Sequence, residues 1–286
     1  MQISLKWVNE LVDIETVKLD TLIKKLTLGG FEVEEILEIE KKNQKQIALE
    51  ISATANRSDS LSIHGISTEI AALLNETLKI PNYTLKNKNW KKTIHTKIQD
   101  FSNDYNCSIF IAITIENLTN KTVPKWITEK LINSGIVPSN DLFDFQNYIS
   151  LETGYPFQFY DIKKICSNLN TSKFNLTIKK ATKNQKFLAS NDISYELNDS
   201  IFTVNANDIP ISIAGIIEDK KFSISESTNK LLIEGSIFNA AKIRQQSRNL
   251  GLRTERSAKY EKSVRTNDLG TALYRLISLL RIANPN

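Results

Sequence analysis

The stretch that most constrains the fold is Gly135–Ile162, GIVPSNDLFDFQNYISLETGYPFQFYDI. Turn signals at Gly135, Pro138–Asp141 and Gly154–Pro156 break it into short pieces that must reverse or cross. Seven aromatics fall within it (Phe143, Phe145, Tyr148, Tyr155, Phe157, Phe159 and Tyr160), in a chain with 12 Phe and 8 Tyr. Asn140, Asn147 and Gln158 sit among them. From the residues alone two readings stay open. The aromatics could wall a pocket whose amides orient a polar ligand. They could equally form a buried loop–strand crossing whose amides satisfy backbone groups.

The rest of the composition narrows the class. At 286 residues, 41% hydrophobic and 24% charged, the chain is an ordinary globular one with room for two domains. No apolar run reaches the roughly 18 residues that a membrane span needs, and the amphipathic opening ISLKWVNELVDI reads as no secretory signal. Cys107 and Cys166 show no metal-ligand spacing and fit a reduced compartment. His64 and His95 form no zinc-binding pattern. His64 lies on an apolar helix with no acid or nucleophile beside it and reads as structural. The net charge is +5 with a pI near 9.0, and Lys242–Arg281 alone carries ten Lys/Arg against three acids. Such a face suits a phosphate backbone; the bland alternative is a solvated helix surface. Abundant Lys, Ile and Asn match AT-rich codons, a bias expected of an organelle or endosymbiont genome.

Along the chain, apolar spacing predicts a short helix and then a second one starting near Asp20 as its N-cap, stopped by Gly29-Gly30. FEVEEILEIE and QIALEISAT alternate as half-exposed strands, with Lys41–Lys45 as the hairpin tip. Asn56–Asp59 makes a polar turn. Asp59 or Ser60 caps the following helix, which runs to Asn75, with Arg57 as a local anchor. The lysine-rich segment from Lys79 to Lys97 is the candidate linker. Beyond it come the strand CSIFIAITI, a helix near Lys125–Ser134, and the opening stretch. NLTIKKAT, ISYELNDSIFTV, PISIAGII and LLIEGSIF read as strands. AAKIRQQSRNLG reads as a helix capped by Asn239 and ended by Gly251. The last helix carries Leu269, Ala272, Leu273, Leu276, Ile277 and Leu280 on one apolar face, read as an unmatched stripe that marks an interface or a truncation.

Several of these segments occur together in one order: MQISLKWVNELVDI, LTLGGFEVEEI, ISATANRSDSLSIHGISTEIAALLN, the Gly135–Asp161 stretch, PISIAGI, LLIEGSIFNAAKIR and SRNLGLRTERSAKYEKSV. In that order they resemble the N-terminal part of the phenylalanyl-tRNA synthetase beta subunit. The resemblance implies an α+β fold: a small N-terminal α/β module (residues 1–85), a linker (86–97), a mixed-sheet editing and tRNA-binding domain (98–262), and an amphipathic helix (263–286) leading to missing modules. It departs from the family in lacking the oligonucleotide-binding-fold insert between the GFEVE and NRSD segments.

The resemblance also implies a role. In such enzymes the aminoacylation residues lie in the alpha subunit, so this chain holds none, and ATP and Mg2+ serve only the whole enzyme. The implied partners are the alpha subunit, in an α2β2 assembly, and tRNA(Phe); the implied site of action is the plastid stroma, with a bacterial-type cytoplasm as alternative. Editing is needed because an apolar Phe pocket rejects an added hydroxyl by only ~100-fold. The implied editing site comprises Glu234, which recognises the tyrosine hydroxyl, Asn147, and Ala214 and Gly215, which leave room for substrate. Gln158 replaces the histidine of the family motif P-x-H-A-F-D, and an amide cannot take a proton at neutral pH. Glu218-Asp219 replaces a Gly-Gly turn and brings two carboxylates that crowd the pocket and repel phosphate. The expectation is a degenerate Tyr-tRNA(Phe) editing site, with a free-standing mischarged-tRNA deacylase or a tRNA-binding module as alternatives. Lys242, Arg244, Arg248, Arg253 and Arg256 are the candidate RNA contacts, and no metal site is expected.

Overall fold

The computed structural model describes residues 1–41, 44–54, 57–81 and 107–284, so the linker at 86–97 lies outside the described residues. The chain forms two compact units. One comprises residues 1–85, 121–155 and 270–286, the other 86–120 and 156–269. This differs from the expected boundaries, because Gly135–Ile162 is divided between the units at Tyr155 and Pro156.

In the first unit, β1 (Gln2–Ser4) leads into α1 (Leu5–Asn9) and α2 (Leu19–Leu28). A hairpin of β2 (Phe31–Lys41) and β3 (Gln44–Ala53) follows, giving an antiparallel sheet of order β1-β3-β2. Asp20 is not the cap of α2. Lys18 holds that position without a side-chain bond, and Asp20 sits in the first turn, where its charge opposes the helix dipole. Nor do Asp59 or Ser60 cap α3 (Ile63–Leu74), whose N-cap is Ser62, its hydroxyl accepting from the Gly65 N–H at 3.0 Å. Asp59 is engaged elsewhere. It accepts both Nε and Nη2 of Arg57 at 3.2 Å, and Arg57 also binds Glu69 and lies over the Phe31 ring.

The unit continues with α4 (Lys125–Asn133) and α5 (Leu142–Thr153). Helix α5 was not foreseen in the opening stretch, although its punctuation is there. Asp141 accepts the Phe143 N–H at 2.8 Å, buried Asp144 accepts the N–H groups of Ser139 and Asn140 at 2.9 Å, and Gly154 ends the helix. Tyr148 on α5 stacks on Trp7, with ring centroids 5.0 Å apart. Its hydroxyl donates to Glu152 at 2.7 Å.

The second unit contains β4 (Cys107–Ile115), β5 (Gln158–Asp161), α6 (Ile162–Leu169) and β6 (Leu176–Lys180). There follow β7 (Gln185–Leu188), β8 (Ser194–Leu197), β9 (Phe202–Ala206), β10 (Ile209–Ile213), β11 (Ile217–Glu218) and β12 (Leu231–Phe238). They make sheets of order β4-β12-β5, β11-β10-β9-β6 and β7-β8. The α+β class holds, and every described ladder is antiparallel rather than mixed. Hairpin connections such as Asn207-Asp208 between β9 and β10 leave no need for crossovers there. A core of Tyr160, Val204, Ile211, Leu232, Phe238, Ile243 and Tyr260 joins the two larger sheets to α7 (Ala240–Leu250) and α8 (Glu255–Tyr260).

The last helix, α9 (Leu269–Ala283), corrects a further expectation. Its apolar stripe is not unmatched: Leu269, Ala272, Leu273, Leu276, Ile277 and Leu280 are all buried in this chain. In the first unit Arg275 of α9 forks onto Glu152 of α5 at 2.8 and 2.9 Å, which fixes the helix there.

Gly65 is a sharp test of the first unit. A Cβ at this position would lie 1.8 Å from the Asp59 carbonyl oxygen, and backbone cannot yield as a side chain does. Gly65→Ala therefore destabilises the chain by about 2 kcal/mol or more, outweighing the ~1 kcal/mol of helix propensity it gains. Urea unfolding measures the change, and a neutral or stabilising substitution would refute this packing.

Candidate functional site

Strand β12 has no exposed residue along its whole length, so the charge it carries at its centre, Glu234, must be met inside the protein. In register, Glu234 stands opposite Ala112 of β4 and Gln158 of β5. Residues opposite one another in an antiparallel ladder point to one face, so Gln158, Tyr160, Glu234 and Ser236 share a side of the sheet. On that side the carboxylate is fully engaged. Tyr160 donates its hydroxyl to Oε2 at 2.5 Å, while Arg256 Nη2 and Ser236 Oγ donate to Oε1 at 2.7 and 2.8 Å. Ser212 Oγ lies 2.9 Å from the Tyr160 oxygen. The single phenol proton goes to the acceptor-only carboxylate, so the serine hydroxyl is the donor in that second bond.

Other contacts hold the network in place. Arg256 Nε reaches the Pro156 carbonyl at 3.3 Å and its guanidinium faces the Tyr260 ring. Tyr260 donates to the Ser236 carbonyl at 2.8 Å. Helix α8, which bears Arg256, begins with a Thr254–Ser257 capping box, and Thr254 also donates to the Ile216 carbonyl at 2.9 Å. Burial, and next the Glu234 charge, hold the Tyr160 phenol well above its usual range. Burial opposes the Arg256 charge, but the carboxylate outweighs it and the guanidinium is raised. Burial and the nearby Glu234 push the Cys107 thiol up to about 12, so it stays protonated.

Of the expected editing residues, Gln158 and Glu234 are brought together, both almost fully buried. Among the described residues the Gln158 amide makes only a long 3.4 Å bond to the Phe159 carbonyl. Asn147 lies half-buried on α5 of the other unit. Ala214 and Gly215 form the turn after β10, and the chain itself packs closely against Gly215. Gly215 has φ +71° and a Cβ there would come within 2.6 Å of Ile243 and 3.0 Å of Phe238. Its smallness serves backbone shape and close packing. Asp219 caps a 3₁₀ turn by accepting the Lys221 N–H at 2.8 Å, while Glu218 is part of β11. That pair is built into the fold.

The candidate RNA contacts divide. Lys242, Arg244, Arg248 and Arg253 are exposed, although Arg244 donates to the Glu261 carbonyl at 2.7 Å and Arg253 pairs with the Glu261 carboxylate at 3.3 Å. Arg256 is corrected: it is buried, and Glu234 takes its charge. Tyr160 was missed as a functional residue. The signal was present, because PFQFYD carries tyrosine where the family motif has phenylalanine. Nothing in RTERSAKY singled out Arg256 from its neighbours. Among the described residues no group of three or more His, Cys, Asp or Glu is arranged to hold a metal ion.

Comparison with known proteins assigns the chain to a family. The family model for the B3/4 domain matches residues 106–284, and the chain belongs to that family. Over its whole length it is 60% identical to the chloroplastic phenylalanine–tRNA ligase beta subunit of Phaeodactylum tricornutum, of which it covers 40%. It is 33% identical over 98% of its length to the chloroplastic beta subunit of Porphyra purpurea, covering 39% of that protein. It is 35% identical over 81% of its length to the beta subunit of Prochlorococcus marinus strain MIT 9312, covering 28%. The chain thus spans about two fifths of the plastid relatives it matches. Among solved structures, an N-terminal fragment of the phenylalanyl-tRNA synthetase beta subunit from Pyrococcus horikoshii superposes with a TM-score of 0.41 at 14% identity, over 82% of this chain and 67% of that one.

The Glu234–Arg256 pair makes a direct stability prediction. Arg256→Met strands a buried carboxylate and costs about 3–5 kcal/mol, whereas Glu234→Gln combined with Arg256→Met costs clearly less. Denaturant midpoints of the two variants decide, and equal losses would contradict the pairing.

Proposed function

We propose that this chain acts as part of a phenylalanine–tRNA ligase beta subunit in the chloroplast, with an alpha subunit as partner, and that its tyrosine-editing site is closed. The similarity to beta subunits along the whole length supports the first part. The observation that carries the second is the state of Glu234. If this carboxylate is the group that would read the hydroxyl of a misattached tyrosine, its oxygens are already held by Tyr160, Ser236 and Arg256. A competing tyrosyl group would have to displace an internal phenol and a buried cation, leaving those groups unpaired at a cost of several kcal/mol. Gln158 adds no proton acceptor near neutral pH.

Aminoacylation itself is assigned to the rest of the enzyme. ATP and Mg2+ belong to that whole enzyme, and no step through them is derived from these residues. The contribution of this chain is then to hold tRNA and to support assembly, with exposed Lys242, Arg244, Arg248 and Arg253 as phosphate contacts.

One experiment tests both parts. The chain, incubated with tRNA(Phe) carrying tyrosine, binds the RNA with an affinity that falls steeply with salt, and releases tyrosine no faster than the uncatalysed ester does. Release well above that rate, abolished in Glu234→Ala, would establish the deacylase reading instead. Absence of salt-dependent RNA binding would remove the tRNA-holding role.

A further inference from the structure

A cavity lies in the same unit beside the Glu234 network: Ala112 and Leu232, the ladder partners of Glu234 and Tyr160, form part of its lining. It has a volume of about 690 Å³ and opens between the β4-β12 face, α6 and the segment joining α6 to β6. Neither Glu234, Tyr160 nor Arg256 lines it. Its floor is apolar, made by Leu232, Ile162 and Leu176, and its rim is cationic, with Lys163, Lys173 and Lys230 against the single acid Glu116. Glu116 binds Lys230 at 3.1 Å. The ammonium groups of Lys163 and Lys173 have no partner among the described residues, so the rim keeps a net positive charge toward whatever enters.

The remaining wall is specific in kind. Phe174, partly buried against the core, lines the cavity together with Asn175 and Asn207. These two asparagines lock one another's backbone: the Asn175 N–H donates to Asn207 Oδ1 at 2.9 Å, and the Asn207 N–H donates to the Asn175 carbonyl at 2.8 Å. That leaves the Asn175 side-chain amide on a wall held in place by backbone bonds. The volume falls within the usual range for small-molecule sites and far exceeds what an inorganic anion needs.

We infer that this cavity is a ribonucleotide-binding site, with the base against Phe174, its edge toward the Asn175 amide, and the phosphate between Lys163 and Lys173. A cationic rim beside an aromatic platform is the combination that suits a nucleotide, since each base has a face to stack and each phosphate a charge to meet. A simple acyl anion would use the floor and the lysines but gain nothing from the asparagine wall. The nucleotide is either free or one unit of an RNA strand; the chemistry recognised is the same. The site stands independently of the tRNA-editing reading, because no residue of the Glu234 network takes part.

The test uses the full chain at fixed, moderate salt. AMP is titrated by calorimetry and a short fluorescein-labelled oligoadenylate by anisotropy, with sodium decanoate as the apolar-anion control. Lys163→Glu and Lys173→Glu each weaken binding about fivefold or more. Phe174→Leu, which keeps the apolar volume, weakens it about tenfold through lost stacking. Lys186→Glu, at an exposed position of β7 outside the cavity, leaves binding unchanged. Lys163 and Lys173 are exposed, and a glutamate at 163 suits the first turn of α6, so these variants keep the fold. Binding of AMP with this pattern supports a free-nucleotide site, and binding of oligoadenylate alone with the same pattern supports a nucleotide held within RNA. The inference is overturned if neither binds, if Lys186→Glu weakens binding as much as the rim variants do, or if decanoate binds as tightly as AMP.

Discussion

A carboxylate at the centre of a strand with no exposed residue has to be matched from within, and much of the second unit is arranged to do so. Glu234 draws a phenol from β5, a hydroxyl from its own strand and a guanidinium from α8. These contacts tie α8 to the β5–β12 pair, which the ladder alone would not do. Helix α8 is held to the turn after β10 by Thr254, and to β12 by Tyr260. A charge that could have faced a ligand is thereby part of the scaffold. Buried ion pairs add little net stability over an apolar filling but are costly to break, so this arrangement resists loss of either partner.

On the reading proposed above, the same arrangement is how an editing pocket would persist in sequence and yet be filled. A recognition carboxylate loses its function once an internal donor satisfies it, because any ligand must then beat a bond that involves no loss of translational freedom. On that reading the Tyr160 hydroxyl does this, the same kind of group that an editing site would detect. The Gly215 turn is consistent with closure, since Ile243 and Phe238 occupy the space beside it.

Much of the fold was legible because local punctuation and periodicity agreed. The β2–β3 hairpin followed from alternation, α7 from Asn239 and Gly251, and β10 from the short apolar run PISIAGII. Helix α5 was hidden by its own composition: aromatics and amides suggested a crossing, and only the Asp141 and Gly154 boundaries disclosed a helix. Caps were misassigned where a competing partner existed, as Arg57 drew Asp59 away from α3. Of the site, the carboxylate could be read from a motif, but its partners come from positions 22 and 74 residues away, and pairings across such distances are decided by tertiary packing. The α9 stripe misled because a one-dimensional pattern marks a buried face without naming what buries it.

The claim that Glu234 is held by the chain's own phenol is tested most directly by a double-mutant cycle. Stabilities of the parent, Tyr160→Phe, Glu234→Ala and the double variant are measured by urea unfolding. The strain and cavity of each single change cancel around the cycle, leaving the interaction between the two side chains. A bond from a buried hydroxyl to a carboxylate predicts a coupling of about 1.5–3 kcal/mol. Effects that simply add, to within about 0.5 kcal/mol, would show that the phenol and the carboxylate do not meet, and the closed-site account would fall with them.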